Sequence, residues 1–75
     1  QYETMLELQR GVCLICQRGE TKHLHGVVME LAVDHNHKTG KIRGLLCNAC
    51  NLGLGKFNDD IAWLKNAISY LENYN

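Results

Sequence analysis

The sequence contains no proline, carries no net charge and is poor in aromatic side chains, which make up 7% of it. It also has no internal repeat, no low-complexity tract and no apolar run near the ~20 residues that cross a bilayer. No point therefore offers itself as a linker, and a single domain without a membrane span is the expectation. The opening stretch QYETMLELQR has neither the basic start nor the apolar core of a secretory leader, so a reducing, cytoplasmic compartment is expected. Eight Lys+Arg against eight Asp+Glu argue, at face value, against a polyanionic partner.

Length is the other shortage. The chain has 75 residues, and a domain of that size hides only about 60–65% of the surface its unfolded form exposes. Ordering costs on the order of 1.5 kcal/mol per residue, which roughly cancels the burial so small a core can achieve. With 45% hydrophobic and 21% charged residues the composition is nevertheless that of a globular protein. A staple is needed, and four cysteines are present to make one.

The charge is unevenly spread. Between residues 10 and 56, Arg10, Arg18, Lys22, Lys38, Lys41, Arg43 and Lys56 face only Glu20, Glu30 and Asp34, while the flanks hold Glu3, Glu7, Asp59, Asp60 and Glu72 against Lys65. A central segment that meets phosphates is compatible with overall neutrality.

Periodicity predicts the elements. Tyr2, Met5 and Leu6 recur at helical spacing, and Gly11 stops that helix. The stretch from Val28 to His35 reads as one strand and Lys41 to Leu46 as a second, joined as a hairpin by N-H-K-T-G. A short helix starts near Asn48 and ends near Gly53 or Gly55. Asn58 is the expected cap of a final helix, with Asp59 and Asp60 at its positive end. Ile61, Leu64, Ala67, Ile68 and Leu71 form its buried stripe, and Trp63, Tyr70 and Tyr74 read as core and rim packing. Gly44 leaves room under its strand, and His23 and His25 are expected in solvent.

Cys13-x-x-Cys16 and Cys47-x-x-Cys50 stand 30 residues apart, a spacing that lets four thiolates converge on one tetrahedral zinc. The first pair sits on a knuckle-like turn and the second at a helix N-terminus whose dipole favours thiolate charge. Two disulfides are the alternative, but nothing in the sequence suggests secretion. Four protein thiolates leave no position for water, so this zinc is expected to be structural.

Between the pairs lies Asp34-His35-Asn36-His37, and Asn51 follows Cys50 directly. Strand alternation sends Asp34 and His35 to opposite sides unless the strand breaks there, so one can bind a metal while the other meets a water. Asp and Asn offer hard oxygen ligands suited to magnesium or manganese. A neutral imidazole can take a proton from an attacking water, with its other ring nitrogen held by an acceptor such as a backbone carbonyl. His37 reads equally as a phosphate contact or auxiliary base and as a polar turn residue. Lys38, Lys41 and Arg43 lie beside this group and are assigned to phosphate binding.

These residues carry a resemblance. Gln9-Arg10-Gly11-Val12-Cys13-Leu14-Ile15-Cys16, Val33-Asp34-His35-Asn36-His37 and Lys41-Ile42-Arg43-Gly44-Leu45-Leu46-Cys47-Asn48-Ala49-Cys50-Asn51, with Gly55 beyond, resemble the recombination endonuclease VII family within the His-Me finger (HNH, ββα-metal) nucleases. The resemblance runs from about Tyr2 to Leu71. It implies an α+β fold over residues 1–75: one small zinc-stapled domain with a ββα-metal, treble-clef-like core between an N-terminal and a C-terminal helix. It implies an enzyme, a metal-dependent endonuclease acting on DNA in a bacterial or phage-infected cell. Asp34 and Asn51 match the family's magnesium ligands, and His35 matches its general base. The phage resolvase has further helices that make an intertwined dimer, and nothing comparable is visible here. Nicking or general DNA cleavage is therefore expected rather than junction resolution. A homodimer stays open, and no small-molecule substrate is expected. The competing class is a zinc-stapled module that holds DNA or protein without cutting, which would need none of Asp34, His35 and Asn51 where they stand.

Overall fold

The first helix, α1, spans Tyr2–Leu8 and turns Tyr2, Met5 and Leu6 toward the interior. The chain leaves it through Arg10 and Gly11, both with left-handed backbone, and the Gly11 N–H closes on the Leu6 carbonyl at 2.8 Å. This computed structural model describes residues 1–74; Asn75, the last residue of the expected 1–75 domain, lies outside them.

The expected strand from Val28 to His35 is two elements. His23–Leu24 (β1) and Val27–Val28 (β2) form a small exposed hairpin that turns on His25 and Gly26, both at positive φ as a tight two-residue turn requires. Only Ala32–His35 (β3) belongs to the second sheet, where it runs antiparallel to Ile42–Leu46 (β4). Between the two hairpins the Met29 N–H bonds the Lys22 carbonyl, and the Leu31 carbonyl takes the Tyr2 hydroxyl at 2.6 Å. A continuous apolar run thus serves two separate pairings, because its middle is held by other partners.

Asn48–Lys56 forms α2, which packs against β3, while α1 packs against β4. The helix passes through Gly53 and Gly55 before its end at Lys56. Its start is pinned by Cys47, whose sulfur accepts the Cys50 N–H at 3.4 Å. Ile61–Tyr74 forms α3. Asn58 does not cap it: Asn58 and Asp59 are both left-handed, and Asp60 Oδ1 takes the Trp63 N–H at 3.1 Å.

The buried residues are Cys13, Leu31, Leu45, Leu46 and Cys47, so cysteine side chains form a large part of the core. The helical stripe on α3 is not buried. Ile61 is 69% exposed, Ile68 and Leu71 are exposed too, and no residue of α3 is buried. Trp63, at 51% exposure, Tyr70 and Tyr74 also face solvent rather than packing on a core, the two tyrosines resting on each other with ring centroids 5.4 Å apart. The stripe records an apolar face, and the described residues supply nothing wide enough to cover it. The Cα radius of gyration, 13.9 Å, exceeds the about 11 Å of a compact chain this long, as a projecting helix and hairpin require.

Gln9 joins the first knuckle to β4. Its side-chain amide copies a peptide group: Oε1 accepts the Leu45 N–H and Nε2 donates to the Leu45 carbonyl, each at 2.9 Å, and Nε2 reaches the Val12 carbonyl at the same distance. The Leu14 N–H adds a bond to the Leu45 carbonyl. A Cβ at Gly44 would stand 2.8 Å from a methyl of Leu14 and 3.4 Å from Gln9 Oε1, so the expected room under the strand is where the knuckle sits. Because Leu45 is fully buried, Gln9→Ala leaves its N–H unpartnered. The expected loss is about 1–3 kcal/mol, measured by urea unfolding of metal-loaded protein.

Candidate functional site

The four cysteines converge. Their sulfurs all lie within 4.8 Å of one another, and the Cys16 and Cys47 sulfurs are 3.8 Å apart. Metal–sulfur bonds of about 2.3 Å in a tetrahedron put sulfurs about 3.8 Å apart, so the cluster fits a four-thiolate ion. The knuckle is closed by the Cys13 N–H on the Arg18 carbonyl and the Gln17 N–H on the Cys13 carbonyl, with Gln17 left-handed. Burial pushes the Cys13 thiol up, but N–H groups from Cys47, Cys16 and Ile15 outweigh it and bring it down to about 6. Desolvation of the half-buried Cys50, and then the other sulfurs around it, push its thiol up to about 12. The Arg18 backbone N–H, and to a lesser degree its guanidinium, draw Cys16 below the ordinary thiol range. Cys13 and Cys16 are thus drawn down while Cys50 is driven up within one crowded cluster.

Glu20 locks the long loop to this cluster, a role the sequence reading missed. One carboxylate oxygen takes the Asn48 N–H at 2.7 Å at the start of α2, and the other takes the Thr21 and Lys22 N–H groups at 2.9 Å each. The Lys22 N–H, followed by those of Asn48 and Thr21, holds its carboxyl below the usual range. The negative group also faces the positive end of α2.

In the second sheet Ala32 pairs with Leu46, Val33 with Leu45 and Asp34 with Gly44, whereas His35 pairs with Ile42. Arg43 is the extra residue of a bulge in β4, and the pairing register shifts between Asp34 and His35. Asp34 is 7% exposed and His35 is exposed. The His35 ring makes no hydrogen bond among the described residues, so the expected carbonyl partner is not supplied. Asn51 is half-buried in the first turn of α2, its N–H on the Cys47 carbonyl. The helix that carries Asn51, α2, packs against β3, the strand of Asp34 and His35.

Asp34 already has a partner. Arg43 donates from Nε to Asp34 Oδ2 at 2.6 Å and from Nη2 to Oδ1 at 3.0 Å, and the same Nη2 reaches Asp59 Oδ2 at 3.1 Å. The Asp34 carboxylate first, and Asp59 after it, hold the guanidinium charged above its usual range. His37 Nε2 stands 3.6 Å from the same Asp59 oxygen, with the imidazole 77% exposed. Sequence places Asp59 at the positive end of the helix; with Asp60 as the cap, Asp59 instead accepts from Arg43.

Asn36 shapes the turn between β3 and β4, accepting the Lys38 and Thr39 N–H groups on Oδ1 at 2.8 and 3.0 Å. Lys38 and Lys41 are exposed there. A cleft of about 670 Å³ opens between the turn at Asn36–Lys38 and the linker at Asn58–Ile61, and Arg43 lines it. Asp34 lines a smaller hollow of about 210 Å³ with Leu14, Leu46 and Leu54, and Arg43 lines that one too. The large cleft thus lies beside Asp34, His35 and Asn51 rather than on them, with Arg43 between the two spaces.

The recombination endonuclease VII family profile matches residues 1–73. The chain is 47% identical over 74 residues to the gene 59 protein of Mycobacterium phage L5, covering 97% of this chain and 42% of that protein. It is 47% identical over 72 residues to the gene 59 protein of Mycobacterium phage D29, covering 95% of this chain and 41% of that protein. It thus spans well under half the length of these phage relatives. Among solved structures, the ββα-Me type II restriction endonuclease Hpy99I superposes with a TM-score of 0.67 at 34% identity, over 96% of this chain and 42% of that one. A cysteine-clustered ββα fold and a profile match along nearly the whole chain lead to one conclusion: this chain belongs to the recombination endonuclease VII family.

Proposed function

We propose that the chain is a metal-dependent DNA endonuclease domain of the HNH (His-Me finger) type, hydrolysing phosphodiester bonds in a phage-infected bacterial cell. The observation that carries this reading is a nearly buried carboxylate, Asp34, next to an exposed imidazole, His35, on the strand opposite the bulge, which packs on the cysteine-anchored helix bearing Asn51. Family membership makes nuclease chemistry the natural use of that arrangement. Cys13, Cys16, Cys47 and Cys50 hold a structural zinc, with no ligand position left for water. Asp34 and Asn51 supply the hard oxygens that suit a catalytic magnesium or manganese ion. When bound, that ion offsets charge developing on the phosphorus oxygens and the departing sugar oxygen.

His35 takes the proton of the attacking water, a task its exposure permits. Lys38 and Lys41, on the outer turn of the hairpin, contact DNA phosphates, and His37 joins them at the cleft. Arg43 reaches phosphate after releasing Asp34. A second reading, a stapled module that binds DNA or protein without cutting, draws support from the Asp34–Arg43 ion pair, which satisfies Asp34 without any cation.

For the staple, chelation or Cys47→Ser is expected to unfold the domain cooperatively, because cysteines make up much of the core. Circular dichroism during chelator titration, with elemental analysis giving one zinc per chain, checks this; a folded, reduced, metal-free protein would refute it.

For catalysis, His35→Ala should keep zinc, fold and DNA binding while cleavage falls about 100-fold or more. Asp34→Ala should stop cleavage, and Asn51→Asp should retain some activity with a changed metal preference. The assay follows supercoiled plasmid, duplex oligonucleotide and four-way junction in magnesium, manganese and chelator. Wild-type rates in nuclease-free His35→Ala protein would hand the site to the binding-module reading.

For affinity, DNA binding should weaken as salt rises, and Lys41→Gln should lessen the slope of log affinity against log salt by about one. Fluorescence anisotropy across a salt series measures it.

A further inference from the structure

Arg43 owes its place to the bulge. With Asp34 opposite Gly44 and His35 opposite Ile42, Arg43 has no cross-strand partner, and its side chain folds onto the nearest carboxylate. Both Asp34 oxygens accept from it, in the two-pronged geometry that only arginine makes. A hard dication needs a lone pair on those oxygens and would stand a few ångströms from a permanent positive charge. Cation and guanidinium therefore compete for one carboxylate.

Asp59 is what lets the guanidinium give way without being lost. It holds Nη2 at 3.1 Å from the opposite side, and both N–H groups of Nη1 remain without a hydrogen-bond partner among the described residues. Its position is maintained at a cost, since Asn58 and Asp59 are consecutive non-glycine residues at φ 58° and 54°. The linker is fixed in that shape by the Asn58 N–H on the Gly55 carbonyl and the Asp59 N–H on the Leu54 carbonyl, each at 2.9 Å. With the linker held in that shape and the helix capped by Asp60, one Asp59 carboxylate oxygen lies against Arg43.

We propose that Arg43 and a divalent cation are alternative counter-ions of Asp34, and that Asp59 is the positioning residue that retains Arg43 when the cation arrives, turning its free N–H groups to a DNA phosphate at the cleft. The proposal rests on the reading of Asp34 as a cation ligand. Its consequence is positive coupling: cation and DNA each favour the state in which Arg43 has left Asp34, so each tightens the other.

The test is manganese binding to the zinc-loaded chain, followed by the loss of the free-ion electron paramagnetic resonance signal, with and without a short DNA duplex, in a His35→Ala background. Arg43→Lys keeps the charge but cannot make the two-pronged bond, so it should bind manganese at least about fivefold more tightly than the parent without DNA. Lys65→Gln, which removes one positive charge without touching Asp34, should change manganese affinity by less than about twofold. DNA should tighten manganese binding in the parent and do so several-fold less in Arg43→Lys. Asp59→Asn should reduce that coupling and Asp59→Glu should restore it. Circular dichroism and zinc content confirm that each variant is folded. Equal affinities in Arg43→Lys and the parent, or coupling unchanged in Arg43→Lys, overturn the exchange. The underlying reading fails separately: manganese binding that survives Asp34→Ala shows that Asp34 is not a ligand.

Discussion

Four sulfurs drawn to within 4.8 Å of one another tie together the two ends of the functional segment. Cys13 and Cys16 close a turn against β4, and Cys47 both joins the cluster and caps α2. Remove that convergence and the apolar core reduces to Leu31, Leu45 and Leu46 with a few half-buried neighbours. Three leucines cannot offset the ordering of 75 residues. Everything the site needs, including the register of the hairpin and the placement of Asn51 one residue beyond Cys50, is referred to that anchor.

Around the anchor, polar side chains do the work that a larger core does elsewhere. Gln9 inserts its amide beside Leu45 as if it were another strand, and Glu20 holds three backbone N–H groups between the long loop and α2. Both are short-range substitutes for secondary structure in a chain with little room for it. They also bring the knuckle, the loop and the helix start to one place. Alternation along β3 sets Asp34 inward and His35 outward, and the bulge in β4 places Arg43 where it reaches two carboxylates.

The sequence by itself determined the cysteine pairs, the hairpin around N-H-K-T-G, the start of α2 and the family, because ligand spacing and turn chemistry are local and leave few solutions. It misjudged α3. A stripe at helical spacing shows which face of a helix is apolar, but whether that face is covered depends on the width of the rest of the chain, and Trp63 and Ile68 end in solvent. Asn58 is the expected cap, yet Asp59 and Asp60 beside it differ little from it in cap propensity. Only the hydrogen bonds closing the end of α2 chose Asp60, and so turned Asp59 toward Arg43. The pairing of Asp34 with Arg43 was likewise invisible, since alternation along a strand carries no information about a bulge. Local spacing settles ligand sets and elements; the contacts among Asp34, Arg43 and Asp59 depend on where separate elements meet, and tertiary structure alone decides that.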